Sequence, residues 1–472
     1  MRAACSFLRS VALVACLAGC MSVGPTYKAP DADLPAAYHT AVPRIFETGP
    51  NAPEEWWQAF GDPVLDQLVE RGLQSNPDVN IAMSRMREAR AQARAIMGET
   101  GPQLGIGADA SRQWRRDQDR GGAPNSGDGP RNQANVGLDA IWEIDLFGRV
   151  RHSREAGWAQ ARRAEALGRE TRRTIAAEIA RLYVERRAAE RRLELAQHSL
   201  ELQQRTLSLV EQRVNAGLAP GLDLVRARGA VALLQAGIGP LRAERVRLGN
   251  ALAVLLDENP GQLDEMLAAT GKIPDMKTGS ALGVPNNLLR RRPDIQAAEF
   301  ALIAATAEVG VEKAELYPRL TLPGSITMGF VDIGAGMARE VLASLALVIG
   351  MPLFDGGERA ANITAAEERV IQTALLYRQT LLAALNEVEQ ALTDYTGASE
   401  RRLALDEAVR NNEAAFEQSD VLYRRGFATF LEVLDSQRTL NETLQEQALS
   451  QRDLATQLIN IYAALGVSDR PE

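Results

Sequence analysis

The run Asn135-Val136-Gly137-Leu138-Asp139-Ala140-Ile141-Trp142-Glu143-Ile144-Asp145-Leu146 changes character at every second residue. Val136, Leu138, Ala140, Trp142, Ile144 and Leu146 share one parity; Asn135, Gly137, Asp139, Ile141, Glu143 and Asp145 share the other. Successive side chains of a strand point to opposite faces, so this predicts a strand with one apolar face. Two residues later the period changes. From Gly148 to Asn215 no proline intervenes, and Ile175, Ile179, Leu182, Ala189, Leu193, Ala196, Leu200, Leu207, Val210 and Val214 follow a 3-4 alternation. Arg186 and Gln203 fill two further seam positions. This is a coiled-coil seam, and ~68 residues of helix reach about 100 Å at ~1.5 Å per residue.

Upstream, Leu104, Ile106, Ala108 and Ala110 alternate with Gly105, Gly107, Asp109 and Ser111. A polar loop, Arg115 to Arg131, separates the two strands. The pattern recurs with Leu320, Leu322, Ile326 and Met328, then Leu345, Leu347, Ile349, Met351 and Leu353. Trp114, Trp142, Phe147, Phe330 and Phe354 lie near the strand ends. Around these hairpins the chain repeats itself. Asn76-Pro77-Asp78-Val79 and Arg292-Pro293-Asp294-Ile295 each open a helix, and the prolines differ by 293 − 77 = 216. The pairs Gly217/Gly426 and Asp223/Glu432 are 426 − 217 = 209 apart. Second seams follow at Val370, Ala374, Tyr377, Leu381, Ala384, Val388, Ala391 and Tyr395, and at Leu444, Ala448, Ala455, Leu458, Tyr462 and Leu465. Each half therefore reads helix, hairpin, very long helix, turn, long helix: a doubled domain, not a short solenoid. The expected divisions are a signal peptide at 1–19, an amino-terminal segment at 20–75, repeats at 76–275 and 284–466, and a tail at 467–472.

The first twenty residues explain where such strands would go. Arg2 and Arg9 precede an apolar core, Val11 to Leu17, and Leu17-Ala18-Gly19-Cys20 resembles the bacterial lipobox. Cys20 is then the expected lipid-attachment residue, carrying a covalent lipid, and Met21 in place of Asp favours sorting to the outer membrane. Beyond this leader no stretch approaches the ~18 apolar residues of a membrane helix, which leaves a β-barrel open. Soluble hairpins would show the same alternation; the lipoprotein signal decides for membrane strands. Four strands cannot close a barrel, since the smallest need about eight. Three copies supply twelve strands, the simplest closure, although two copies supply eight.

Composition narrows the chemistry. The net charge of −8 argues against nucleic-acid binding. His39, His152 and His198 lie far apart, so no metal centre and no other cofactor is expected. No phosphate loop, His-Glu-x-x-His motif or nucleophile elbow is present, so no catalytic residue is assigned and the chain is read as a transporter, not an enzyme.

Several motifs carry a resemblance. Trp56-Trp57-Gln58-Ala59-Phe60-Gly61-Asp62-Pro63-Val64-Leu65 resembles the opening of the outer-membrane factor (TolC) family, in its NodT/OprM-type lipoprotein branch. Leu288-Leu289-Arg290-Arg291-Arg292-Pro293-Asp294-Ile295, Lys313-Ala314-Glu315-Leu316-Tyr317-Pro318 and Pro352-Leu353-Phe354-Asp355-Gly356-Gly357 resemble its later motifs, in order. The resemblance implies a homotrimer with a 12-stranded outer-membrane β-barrel, four strands per chain, on a trimeric α-helical periplasmic barrel. It also implies a periplasmic adaptor (membrane fusion) protein and an inner-membrane pump, resistance-nodulation-division in type. The implied function is the outer-membrane channel of a tripartite efflux system. Alternatives are a lipid-anchored trimeric coiled-coil structural protein and the duct of a type I protein secretion system. The ten methionines are scattered, which favours organic compounds over metal ions as substrate.

By the same resemblance the periplasmic gate lies at the helix tips. Leu431 takes the apolar constriction position, and Glu432 and Asp435 the acidic ones. Gly217 and Gly426 are the tip turns, where the adaptor would dock. The family's arginine two residues beyond the second turn glycine is Ala428 here, so Arg424 or Arg425 are candidate replacements. Asp223 and Arg226 are further candidates for closed-state salt bridges. Thr429-x-x-Glu432 also reads as a helix capping box, a purely local role for Glu432.

Overall fold

The computed structural model describes residues 22–30, 35, 37–43, 46, 55–115, 129–268, 271–276, 291–332 and 337–466. The leader, Cys20, most of the Arg115 to Arg131 loop, Leu288 to Arg290 and the 467–472 tail lie outside the described residues. A short 3-10 turn, Trp56–Phe60, precedes α1 (Pro63–Ser75) and α2 (Pro77–Glu99). Then follow β1 (Gln103–Arg115), β2 (Gly129–Ile144), α3 (Arg149–Asn215), α4 (Gly221–Leu255) and the one-turn α5 (Asp264–Leu267). The second half contributes α6 (Pro293–Ala314), β3 (Arg319–Asp332), β4 (Met337–Leu345), β5 (Val348–Gly350), α7 (Glu358–Arg425) and α8 (Phe430–Ala464). The helix-hairpin-helix-helix order thus occurs twice, with α3 and α7 of 67 and 68 residues. The chain divides into two compact units, one of residues 1–30, 87–163 and 298–377, the other of the remainder.

The first unit holds the sheet, an antiparallel meander in the order β1-β2-β3-β4. Its register sorts side chains by parity. On one face run six rows: Ile144–Leu320–Ile349, Trp142–Leu322, Leu104–Ala140–Gly324–Leu345, Ile106–Leu138–Ile326–Ala343, Ala108–Val136–Met328–Val341 and Ala110–Ala134–Phe330–Arg339. Five two-residue steps separate first from last, about 33 Å of strand at ~3.3 Å per residue. At a barrel tilt of about 45° that gives a height of ~23 Å, close to the ~25 Å apolar band of a membrane barrel. Leu104 is 82% and Ile106 78% exposed on this face. The opposite face is polar: an Asn135 amide donates to Asp109 at 3.1 Å, and the Ser325 and Ser344 hydroxyls meet at 2.8 Å. One-sided alternation is therefore realised, with the apolar side turned outward from the chain.

The fourth strand departs from its expected extent. It begins at Met337 and is interrupted between Leu345 and Val348, opposite Pro323. Ala346 N–H donates to the Pro323 carbonyl at 3.0 Å, but proline has no N–H to return, so the ladder breaks for two residues. β4 and β5 keep one register on β3 and act as a single strand. The alternation read as far as Leu353 overshoots, because the ladder stops at Gly350. Pro352 cannot extend it, and Asp355 starts α7 by accepting from Gly357 N–H at 3.0 Å and from the Arg359 guanidinium at 2.7 Å. Leu353 and Phe354 are left fully exposed.

At the helical end of the sheet, the amino-terminal segment is pinned. His152 Nε2 lies 3.0 Å from the Ser22 hydroxyl and 3.2 Å from the Val23 carbonyl, and Val23 N–H donates to the Phe147 carbonyl at 3.0 Å. Gly310 makes room for this ring: a Cβ there would stand 2.5 Å from it, and one on Gly24 would stand 2.7 Å from Gly310 Cα.

The second unit has an aromatic and ionic core. Trp56 stacks on Tyr462 at 5.7 Å, and Phe46 meets Tyr395 and Tyr462 edge-on. Tyr183 donates to Asp62 at 2.6 Å while accepting from Arg187 at 2.9 Å. Arg292, 1% exposed, donates to Asp294, Glu387 and the Ala464 carbonyl at 2.6–3.0 Å, tying the start of α6 to the end of α8. The seam positions Arg186 and Gln203 are buried as expected; Arg186 meets Glu190 at 3.2 Å. Burial of Arg187 was not foreseen from the seam.

Candidate periplasmic gate

Two helix ends of identical construction form the tips. In α3, Leu218 N–H donates to the Arg213 carbonyl at 2.8 Å and Gly217 N–H to Val214 at 3.0 Å. In α7, Phe427 N–H donates to Leu422 at 2.8 Å and Gly426 N–H to Tyr423 at 3.0 Å. Every residue of the first set lies 209 positions before its counterpart, so the duplication extends to single hydrogen bonds. These closures need a left-handed residue after the helix, supplied by Gly217 at φ 72° and Gly426 at φ 83°. Leu218 and Phe427, the residues beyond them, are 69% and 80% exposed.

Beneath the turns the two hairpins share a core. Val210, Ala227, Tyr423, Phe430 and Val433 are buried together, flanked by Leu207, Val214, Leu224 and Leu434. Arg213 crosses between hairpins: its guanidinium lies 4.6 Å from the Tyr423 ring centre and donates to the Tyr423 carbonyl at 2.7 Å. Burial raises the Tyr423 phenol above its ordinary pKa, with nearby Arg213 opposing the shift. Neither Arg213 nor Tyr423 was singled out from the sequence. The available signal was weak: Arg213 lies in the last turn of α3, where cations are common on electrostatic grounds alone.

The expected gate residues separate into two sets. Glu432 N–H donates to the Thr429 hydroxyl at 3.4 Å, and Thr429 N–H donates to Glu432 Oε2 at 2.9 Å. This reciprocal pair is a complete capping box at the start of α8. Leu431 is 53% exposed, and Asp435 lies one turn on, its carboxylate exposed and 3.1 Å from Arg438. Leu431, Asp435, Arg438 and Glu442 follow i, i+4, i+7, i+11 spacing, forming one exposed stripe. Asp223 and Arg226 meet each other across one turn of α4 at 3.8 Å. Arg424 donates to Asp420 at 2.9 Å, back along its own helix, and Arg425 is exposed beside it. At the tips, among the described residues, Arg213 bonds across the two hairpins, while Arg424 is engaged within α7.

Comparison with known proteins agrees with this architecture. The family described as outer membrane efflux protein matches residues 68–257 and 284–467. The pyoverdine export outer membrane protein OpmQ of Pseudomonas putida is 33% identical over 422 residues, 88% of each chain. Outer membrane protein OprJ of Pseudomonas aeruginosa is 30% identical, covering 97% of this chain and 95% of OprJ. The solved outer-membrane channel OprN is similar with a TM-score of 0.83 at 32% identity, over 94% of this chain and 98% of its own. With a doubled helix-hairpin-helix-helix chain, a one-sided apolar sheet and these matches across nearly its whole length, the chain belongs to the outer membrane efflux protein family and is an outer-membrane channel of a tripartite efflux system.

Proposed function

We propose that the chain works as a homotrimer whose twelve strands close one barrel and whose paired tips gate the periplasmic entrance. The supporting observation is the sheet itself, which has an exposed apolar face and, among the described residues, unpaired edges at β1 and at β4 with β5. Open edges are not tolerated in lipid, so each must pair with another copy. β1 ascends towards the hairpin ends and β4 descends from them, so pairing β1 with a neighbour's β4 continues the antiparallel order. The gate is a ring of Leu431 and Asp435 from three copies, and Glu432 serves to cap α8. Leu218 and Phe427 beside Gly217 and Gly426 offer an apolar rim for a periplasmic adaptor, and the pump behind it is of the resistance-nodulation-division type. The exported class is organic compounds, following OpmQ, whose name assigns it pyoverdine export. Cys20 carries the lipid.

Detergent-extracted protein is expected to give the mass of three chains by native mass spectrometry and to form channels in planar bilayers. A stable monomer with its sheet intact would refute barrel closure. A trimer that conducts no ions, even after opening of the tips, would leave the structural coiled-coil reading standing instead.

A further inference from the structure

The apolar face of the sheet is nearly free of charge. Among the described side chains on it, only Arg112 and Arg339 are ionic, and both sit at the end where β1 joins β2 and β3 joins β4. Arg339 closes the last apolar row beside Phe330, and Arg112 lies one row further along β1. Both are exposed, and the Arg112 guanidinium lies 5.5 Å from the ring centre of Trp114, itself 75% exposed on the same face. Such stacking holds the guanidinium plane and leaves its N–H edges to donate elsewhere.

Depth decides what those edges meet. An arginine on the lipid side of a barrel is costly at mid-membrane and tolerated near the interface, where aromatic girdles also lie. Six apolar rows span the hydrocarbon, and the two arginines come at and just beyond the last. The helices leave from the other end of the sheet, which places this end in the outer leaflet. Arg112 is on one edge strand and Arg339 on the other, so in a closed barrel each seam between copies carries one of each. Two guanidinium forks at headgroup height on a face otherwise made for acyl chains fit a ligand with both fatty chains and phosphate.

We propose that Arg112 and Arg339 bind the phosphates of a phosphorylated glycolipid in the outer leaflet, one site per seam between copies. This rests on the barrel reading given above. Phosphate accepts bidentate, charge-assisted hydrogen bonds from guanidinium groups, while the acyl chains lie along rows such as Ile106–Leu138–Ile326.

Native mass spectrometry of the detergent-extracted protein with added lipid A tests it. The wild-type protein should retain bis-phosphorylated lipid A and hold the enzymatically dephosphorylated form roughly tenfold less well, the scale of losing a charge-assisted pair. The R112Q/R339Q variant should retain both forms equally weakly, and R112K/R339K should recover part of the difference. Inorganic phosphate in millimolar excess should not displace the lipid; displacement would mean a free-anion site and overturn the lipid assignment. Equal retention of the two lipid forms by the wild-type protein also overturns it, with no variant needed. The same spectra report oligomer mass: a trimer indifferent to lipid phosphate sinks this site alone, whereas a monomer sinks the barrel on which it depends.

Discussion

Asp435 and Glu432 are both exposed acids in the first turns of α8, yet their surroundings assign them different work. Glu432 is consumed by the reciprocal bonds with Thr429, whereas Asp435 meets the exposed Arg438. Replacing Leu431 and Asp435 together by alanine is expected to raise single-channel conductance and sensitise cells to bulky antibiotics. A double variant that is trimeric and conducts like the wild type would place the constriction elsewhere. Glu432→Gln should change conductance little, because Gln can keep the box, while Glu432→Ala, which removes the bond to the Thr429 N–H, should loosen the tip by ~0.3–1.5 kcal/mol. Arg213 gives a second prediction at this scale. Arg213→Ala removes one of the two donors to the Tyr423 carbonyl, leaving Gly426 N–H, and removes the stacked cation; losing a hydrogen bond from a charged group costs about 1.5–3 kcal/mol. Hydrogen-deuterium exchange should accelerate in peptides covering 206–214 and 416–434; unchanged protection there would count against a bond between the hairpins.

At the level of elements, the order of helices and strands was legible because each has its own period. The 3-4 seam found α3, α7 and α8, and parity in β1, β2 and β3 located the apolar face residue by residue. The 209-residue offset located both tips, down to the pairing of Gly217 with Gly426. What stayed hidden depends on residues brought together from far apart. The break opposite Pro323 needs the register of β3 on its neighbour, and Arg213 on Tyr423 joins residues from different halves. The Tyr183–Arg187–Asp62 chain hides in a stretch where arginine recurs every few residues. Arg292 belongs to the same class, and pH reports on it. Burial alone would raise the Asp294 carboxyl, but the hydrogen bonds and charge of Arg292 more than offset that and hold it below its ordinary 3.8. A depressed carboxylate contributes stability in full above its unfolded value, and loses it as pH falls through the lower folded one. The thermal-stability gap between the wild type and Asp294→Asn should therefore be widest above about pH 5 and shrink below about pH 4. A gap that does not narrow with acid would show that Asp294 acts through shape rather than charge.

For the whole molecule, the proposed barrel closure and the proposed lipid on Cys20 would be separate means of holding one channel in the membrane. Cys20→Ser should abolish metabolic palmitate labelling and alter the mature amino terminus while native mass spectrometry still finds three chains. Labelling that persists would exclude Cys20 as the acyl site. Loss of the trimer along with the label would mean that the lipid directs assembly rather than adding to a barrel that holds by itself.

The pinning of Ser22 by His152 bears on how long the lipid's leash can be. With Cys20 as the first residue of the processed chain, only Met21 separates the acylated residue from a fixed point. Two residues reach at most about 7 Å. With the proposed lipid on Cys20, a tether that short would act as a plumb line instead of a mooring rope, setting how deep the acyl chains enter the inner leaflet and at which side of each protomer they hang. Three such lines, one per copy of the proposed trimer, would level the barrel against the bilayer, so that tilting the channel away from the membrane normal would mean lifting a lipid out of it.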